Sequence, residues 1–221
     1  MTEVKIRFVS AIKHPQRCEY FTKDSLKMGN NLKKISKKDV EFLAEHTVFQ
    51  REEIKDFYAK FMKAHPDGLM EYESFKDFLY SVFHQSSDDF ARHYFRAVDK
   101  DNSGKINFKE FLLFLNSERT CDLRERLDWL FNLFDINGDG TIERKEMVEI
   151  YKTACSMTKD AGSTAEEYTD ELFGYCDTDK NNILTKEEFI DTFFKNPQLE
   201  AKFPMFYCST TCRSREDTRD S

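Results

Sequence analysis

Apolar residues recur every three or four positions through most of this chain, which is the spacing of amphipathic helices. The apolar faces come in pairs, and within each pair a short polar stretch containing Gly or Asn separates one face from the next. These polar stretches begin at residues 63, 99, 135 and 177, so the pattern repeats every 36 to 42 residues. The pattern predicts an all-α fold of four helix-loop-helix units.

The third polar stretch, residues 135–146, places oxygen-bearing side chains at regular offsets. It matches the pattern D-x-[DN]-x-[DN]-G-x5-E of an EF-hand calcium loop, in which side-chain oxygens, one backbone carbonyl and a bidentate Glu surround the ion. Gly140 stands where the loop turns through a left-handed conformation, and Ile142 stands where a short strand pairs two loops. The ligands predicted for this loop, which we call loop 3, are Asp135, Asn137, Asp139, Thr141 (through its carbonyl) and Glu146.

The second and fourth polar stretches, loop 2 (99–110) and loop 4 (177–188), follow the same pattern with small departures. The ligands predicted for loop 2 are Asp99, Asp101, Ser103, Lys105 (carbonyl) and Glu110, and those for loop 4 are Asp177, Asp179, Asn181, Ile183 (carbonyl) and Glu188. In loop 4 Asn182 replaces the turning glycine. Asparagine tolerates a left-handed backbone better than other side chains do, so we expect loop 4 to close and bind calcium.

The first polar stretch, loop 1 (63–74), keeps only the shape of the motif. Lys63 puts a cation at the first ligand position, His65 occupies the third, and Ser74 removes the closing carboxylate. Pro66 also stiffens the loop. We therefore expect loop 1 to bind no calcium and to serve only as the partner of loop 2.

The number of carboxylates ranks the three competent loops. Loop 3 has four when Glu143 is counted, whereas loops 2 and 4 have three each. More charge favours earlier binding, so loop 3 should fill first and could hold Mg2+ at rest.

Four units favour two paired lobes, because a single unit leaves its loop strand and its apolar helix faces without a partner. The predicted organisation is a basic extension (1–35), an N-terminal lobe with loops 1 and 2 (36–117), a C-terminal lobe with loops 3 and 4 (122–195) and a tail (196–221). Each lobe should contain one short antiparallel pair of loop strands. With 22 Phe and only 11 Gly and Pro together, the composition favours helices over a turn-rich β fold.

Charge is distributed unevenly along the chain. Residues 1–38 carry a net charge of +7, so the remainder carries −14 to reach the total of −7. The acidic body argues against a nucleic-acid surface, while the basic extension could touch anionic lipid or an acidic partner. Cysteine spacing indicates reduced thiols, and the chain contains neither a signal-peptide pattern nor a membrane-spanning apolar run. These features predict a cytoplasmic protein that could lie peripherally at membranes.

The sequence resembles the neuronal calcium sensor family, which includes frequenin, recoverin, visinin-like and channel-interacting proteins. The resemblance rests on a disabled first loop with Pro66 and Gly68, on the helices leading into loops 2 and 3 (90–98 and 127–135), and on residues 28–36. The start of the family's myristoylated members corresponds to Met28, behind 27 extra residues, so acylation of Gly29 would require another start site or cleavage. The resemblance implies a calcium-triggered regulator of a target protein.

Calcium binding alone leaves a sensor and a buffer open. A surplus of large apolar side chains in the N-terminal lobe favours a sensor whose groove receives an amphipathic helix of a target protein, although ordinary core packing would explain any one of them. Those side chains are Phe57, Tyr58, Phe61, Phe75, Phe78, Leu79, Phe83, Phe90, Phe95, Phe111 and Leu115. The apolar tail residues Leu199, Phe203, Met205, Phe206 and Tyr207 could fold back into that groove.

Other classes fit the residues less well. A constitutive regulatory subunit resembling calcineurin B would be expected to keep its first loop, and a calcium-triggered photoprotein would be expected to have more than the single Trp129. The five histidines have no partners at any catalytic spacing and there is no Gly-rich phosphate loop, so we expect no enzyme. The sequence leaves the target and the oligomeric state open.

Overall fold

The computed structural model of the chain describes residues 34–82, 87–120, 122–156 and 164–202. Most of the basic extension, and with it Gly29, lies outside these residues. The same is true of the linker at 157–163 and of the tail from 203 onward, with Cys208 and Cys212. Within the described residues, no helix is long and apolar enough to cross a membrane.

The described chain is mostly helical and has two short strand pairs, which confirms the predicted fold class. The elements around loops 1 and 2 are α1 (Lys37–Glu45), α2 (Arg51–Ala64), β1 (Leu69–Met70), α3 (Tyr72–Val82), α4 (Asp88–Val98), β2 (Ile106–Asn107) and α5 (Phe108–Arg119). Those around loops 3 and 4 are α6 (Leu123–Phe134), β3 (Thr141–Glu143), α7 (Arg144–Ser156), α8 (Ala165–Cys176), β4 (Ile183–Thr185), α9 (Lys186–Lys195) and α10 (Leu199–Lys202).

Side-chain caps start several of these helices. Ser36 accepts a hydrogen bond from the backbone N–H of Asp39 at 3.0 Å, as its sequence position predicts for the start of α1. Asn107, Thr164 and Thr185 each begin a reciprocal capping box with the Glu three residues further on. Asn107 lies in loop 2 and Thr185 lies in loop 4. Their capping boxes therefore fix the residue at which the exiting helices α5 and α9 begin.

The two strand pairs join loop 1 to loop 2 and loop 3 to loop 4. Met70 pairs with Ile106 in the first ribbon, and Ile142 pairs with Leu184 in the second; both ribbons are antiparallel. All four side chains are fully buried. The loops of each pair are therefore held together by backbone hydrogen bonds and by two apolar side chains that anchor the ribbon in the core.

The chain divides into two compact units. The N-terminal unit contains the described residues 34–82 and 94–120, and the C-terminal unit contains 87–93, 122–156 and 164–202. The division falls inside α4, so the first half of the helix leading into loop 2 belongs to the unit that holds loops 3 and 4.

Aromatic rings fill the core of the N-terminal unit. Phe75 and Phe114 meet edge to face with centroids 5.7 Å apart, and Phe78 and Phe111 meet in the same way at 5.2 Å. The residues of the predicted groove that lie in this unit and are buried to 5% exposure or less are Phe57, Phe61, Phe75, Phe78, Leu79, Phe111 and Leu115. In this structure these side chains are buried, and the groove stays a prediction.

The start of α10 packs against the rest of the C-terminal unit. Leu199 is only 1% exposed, and Glu200 accepts a hydrogen bond from Arg126 Nη2 on α6 at 2.7 Å. Of the apolar tail residues considered above, Leu199 alone falls among the described residues, and it packs in the C-terminal unit rather than in the N-terminal one.

Candidate calcium-binding loops

Loop 2 turns its carboxylates inward. Both oxygens of Asp99 are engaged by the loop backbone: Oδ1 accepts from the N–H of Ser103 at 3.0 Å, and Oδ2 accepts from the N–H of Gly104 at 2.8 Å. Asp101 accepts a second contact from Ser103 N–H at 3.0 Å. Carboxylate oxygens of Asp99, Asp101 and Glu110 lie within 4.8 Å of one another, a spacing that suits a cation with oxygen ligands.

The closing carboxylate of loop 2 is held by the helix that follows it. Glu110 Oε2 accepts the backbone N–H of Asn107 at 2.9 Å, and Oε1 accepts that of Lys100 at 3.0 Å. The carbonyl of Lys105 accepts the Ser103 hydroxyl at 2.9 Å, so this carbonyl also faces the loop interior. A capping box of α5 therefore presents Glu110 to the loop while starting the exiting helix.

Loop 4 repeats this geometry. Asp177 accepts the backbone N–H groups of Asn181 at 3.1 Å and Asn182 at 3.0 Å, and Asp179 accepts that of Asn181 at 3.1 Å. Carboxylate oxygens of Asp177, Asp179 and Glu188 again lie within 4.8 Å of one another. The N–H of Ile183 bonds to the Asn181 side chain at 2.7 Å.

Glu188 remains ionised in spite of partial burial. Burial alone raises its pKa, but hydrogen bonds from the Thr185 backbone N–H at 3.0 Å, the Thr185 hydroxyl at 2.8 Å and the Thr178 hydroxyl at 3.0 Å lower the pKa below its usual value. The carboxylate is thus held charged and aimed into loop 4 before any ion arrives.

Loop 3 has the same backbone but a different side-chain arrangement. Asp135 accepts the N–H groups of Gly138 at 2.8 Å and Gly140 at 3.0 Å. Asp139 accepts from Thr141, through both the N–H at 2.9 Å and the hydroxyl at 2.7 Å, and the N–H bond is equivalent to the one from Ile183 to Asn181 in loop 4. These bonds lower the pKa of Asp139. Among the described residues, a group of three converging carboxylates is found in loops 2 and 4 but not in loop 3.

The remaining predicted ligands of loop 3 point toward the loop interior. Glu146 accepts the backbone N–H of Asn137 at 2.9 Å and that of Glu143 at 2.8 Å. Asn137 donates its side-chain N–H to Asp139 at 2.9 Å. Glu146 is 3% exposed, so the closing carboxylate sits as deep here as in loop 2.

Left-handed backbone at the fourth loop position distinguishes loop 1 from the others. The fourth residue of loops 2, 3 and 4 has φ +52° in Asn102, +73° in Gly138 and +60° in Lys180. The equivalent residue of loop 1 is Pro66, whose ring fixes φ near −65° and excludes that turn. The missing ligands of loop 1 are therefore accompanied by a backbone that cannot take the shape of the other three.

At the sixth loop position the left-handed turn is present in all four loops. Gly68, Gly104 and Gly140 have φ between +79° and +87°. Asn182 has φ +63°, so the asparagine adopts the conformation expected of it.

Side chains of loop 1 make contacts with the helix before it and with loop 2. His65 is 7% exposed, its ring lies 5.0 Å from the Phe61 ring, and burial lowers its pKa. Glu71 of loop 1 pairs with Lys105 of loop 2 at 2.6 Å. Loop 1 is thereby tied to loop 2 by an ion pair as well as by the strand ribbon.

Comparison with known proteins agrees with this geometry. The EF-hand domain pair family matches residues 124–193, and the EF hand domain family matches residues 91–118. The chain is 31% identical over 183 residues to S-modulin of Aquarana catesbeiana, covering 78% of this chain and 90% of that protein. It is 29% identical over 183 residues to recoverin of Homo sapiens (78% and 91%), and 35% identical over 146 residues to guanylyl cyclase inhibitory protein of Lithobates pipiens (63% and 71%).

The chain belongs to the neuronal calcium sensor family. The resemblance noted in the sequence is thereby confirmed, and the EF-hands and the related proteins together support a calcium sensor. The two EF-hand matches cover loops 2, 3 and 4, whereas residues 63–74 of loop 1 precede both matched ranges.

Some residues around the loops of this calcium sensor gave no signal in the sequence. Lys109, next to Glu110, pairs with Asp39 at 2.6 Å, and its amine lies 5.7 Å from the centre of the Phe42 ring. Hydrogen bonds from Lys109 and from Ser36 lower the pKa of Asp39. These contacts link loop 2 to α1 across 70 residues of sequence. Helix periodicity predicts only contacts between residues that are close in sequence, so it could not predict this one.

Proposed function

We propose that this chain is a calcium sensor that binds three Ca2+ ions, one in each of loops 2, 3 and 4, and then presents an apolar surface to an amphipathic helix of a target protein. The observation that carries the proposal is the inward convergence of Asp99, Asp101 and Glu110 in loop 2, repeated by the equivalent residues of loop 4. Three carboxylates held together cost electrostatic repulsion, which a divalent cation would relieve.

Loop 3 is included because its backbone follows the same course, with the left-handed turns at Gly138 and Gly140 and with Glu146 directed inward. Because loop 3 has four carboxylates, we also propose that Mg2+ occupies it at resting calcium.

The closing glutamates would convert calcium binding into a movement of the helices that follow the loops. Glu110 is at once a ligand and the third residue of α5, so its movement toward an ion turns α5 relative to α4. Phe111 and Phe114 lie on α5 in contact with Phe78 and Phe75 of α3. Reorientation of α5 would separate these rings and uncover apolar surface that is buried in the present structure.

The partner proposed for that surface is an amphipathic helix, because aromatic side chains on one face suit the apolar stripe of such a helix. The related guanylyl cyclase inhibitory protein is named for an action on another protein, which fits a regulatory role for this chain. The net charge of +7 in residues 1–38 supports an additional contact with an anionic membrane surface.

The experiment that separates a sensor from a buffer measures apolar exposure against calcium. An apolar fluorescent dye is added to the full chain in Mg2+ alone and again with saturating Ca2+. We expect dye fluorescence to rise several-fold with Ca2+, and we expect Glu110→Gln to suppress most of the rise, since α5 then lacks its trigger. Calcium binding without increased dye fluorescence would contradict the sensor and support a buffer.

A further inference from the structure

The first residue of each exiting helix in the C-terminal unit contacts the entering helix of the neighbouring loop. Arg144 lies in loop 3 and begins α7; its Nη2 donates to Asp170 on α8 while its guanidinium lies 4.9 Å from the centre of the Phe173 ring. Lys186 lies in loop 4 and begins α9. Its Nζ lies 2.7 Å from Asp128 on α6 and 5.9 Å from the centre of the Phe131 ring.

The two contacts are equivalent by position. Arg144 and Lys186 are both tenth in their loops, and Asp128 and Asp170 both precede the partner loop by seven residues. Phe131 and Phe173 both precede it by four. Each cation therefore holds a carboxylate and an aromatic face of the other EF-hand, and the pair forms a reciprocal clamp, defined here as these six residues.

Each half of the clamp contains a residue that is hydrogen-bonded to a predicted calcium ligand. The carbonyl of Phe173 accepts the backbone N–H of Asp177 at 2.9 Å, and the carbonyl of Phe131 accepts that of Asp135 at the same distance. Asp177 and Asp135 are the first ligands of loops 4 and 3. On the other side, Arg144 is two residues from Glu146, and Lys186 is two residues from Glu188.

The N-terminal unit has an apolar version of this arrangement. Tyr72, tenth in loop 1, meets the Phe95 ring at 5.4 Å, and Phe108, tenth in loop 2, meets the Tyr58 ring at 5.0 Å. The cationic clamp therefore belongs to the unit in which both loops are predicted to bind calcium, while the unit with one disabled loop uses aromatic contacts.

We propose that the reciprocal clamp of Arg144 and Lys186 couples calcium binding at loop 3 to calcium binding at loop 4. This inference rests on the proposed function of those loops. When an ion binds Glu146 and shifts its position, Arg144 moves with the first turn of α7 and carries Phe173 and Asp177 with it. Lys186 transmits the reverse effect, as the reciprocity of binding coupling requires. Arg144 and Lys186 are positioning residues, since neither contacts the ion.

The test uses the full chain carrying Glu110→Gln, which removes a ligand of loop 2, so that titrations report loops 3 and 4. Calcium binding is followed by chelator competition and by the fluorescence of Trp129, the only tryptophan, which lies between Asp128 and Phe131 on α6. The two binding constants give a coupling factor. In this background we compare Arg144→Gln, Lys186→Gln, the double variant and the conservative Arg144→Lys.

The matched control is Lys145→Gln, which removes one positive charge beside the same loop but lies outside the clamp, since Lys145 pairs with Glu143 of its own loop at 2.7 Å. Each clamp variant should lower the coupling factor about fivefold or more. The control should shift both constants and leave the coupling factor unchanged, and Arg144→Lys should retain most of the coupling.

Two results would overturn the inference in distinguishable ways. If the double variant binds two ions with the same coupling factor as the chain that carries Glu110→Gln alone, the clamp does not couple the loops, and the proposed function stands. If the parent chain binds no calcium at loops 3 and 4, the proposed function fails and the inference fails with it. Circular dichroism of each variant establishes that it remains helical.

Discussion

Gly140 and Gly174 have different backbone conformations, so replacing each by alanine should change the stability of the chain in opposite directions. Gly140 turns loop 3 with φ +87°, whereas Gly174 lies in the last turn of α8. An added Cβ would meet nothing within 4 Å at either residue. Replacing each by alanine therefore measures backbone conformation alone, without a steric clash.

The magnitudes follow from the two conformations. Alanine in the left-handed region costs about 1–2 kcal/mol, of which about 0.4–1 kcal/mol is recovered because alanine restricts the unfolded chain. Gly140→Ala should thus lower the free energy of unfolding by about 1 kcal/mol. In a helix alanine is better than glycine by up to about 1 kcal/mol, so Gly174→Ala should raise the free energy of unfolding by about 0.5 kcal/mol or more.

The assay is thermal unfolding of the full chain in excess chelator, followed by circular dichroism. For a chain of this size we expect the melting temperature to fall by about 2–4 °C for Gly140→Ala and to rise by about 1–3 °C for Gly174→Ala. Shifts of the same sign, or a Gly140→Ala variant as stable as the parent, would refute the left-handed turn assigned to loop 3.

Three further predictions concern the folded core. Because burial lowers the pKa of His65, the unfolded chain binds a proton that the folded chain does not; stability is therefore complete above the ordinary histidine pKa of 6.5 and falls as the pH drops below it. His65→Gln should flatten this dependence in urea titrations from pH 7.5 to 5.5, and an unchanged slope would contradict the assignment. Leu184→Ala should cost about 2–5 kcal/mol, since Leu184 is fully buried, while Ile183→Ala beside it, 37% exposed, should cost about 0.5 kcal/mol; equal losses in urea titrations would argue against the β3–β4 register. Burial raises the pKa of Cys176 to about 12, so its thiol should resist alkylation at pH 8 until the chain unfolds, and mass spectrometry finding it labelled in the folded protein would count against its burial.

The repeating loop motif accounts for most of what the sequence could predict. Fixed offsets in each loop place the turning residue and the buried strand residue, so Asn182 and Leu184 fall where the pattern put them. These features are local, and local rules connect residues that are close in sequence.

The features that the sequence missed depend on contacts between distant residues. Composition showed a surplus of aromatic side chains but could not decide between a groove and a core, and in this structure Phe75 and Phe78 are core. The contacts of Arg144 and Lys186 have no signature in the sequence, because each side chain meets a helix of the other EF-hand.

The number of calcium ions bound by the full chain tests the central claim most directly. Isothermal titration calorimetry of the parent chain should give three ions, and Glu110→Gln, Glu146→Gln and Glu188→Gln should each remove one, because each variant loses the closing carboxylate of one loop. A stoichiometry of two or four in the parent chain, or a variant that still binds three ions with unchanged affinity, would contradict the account.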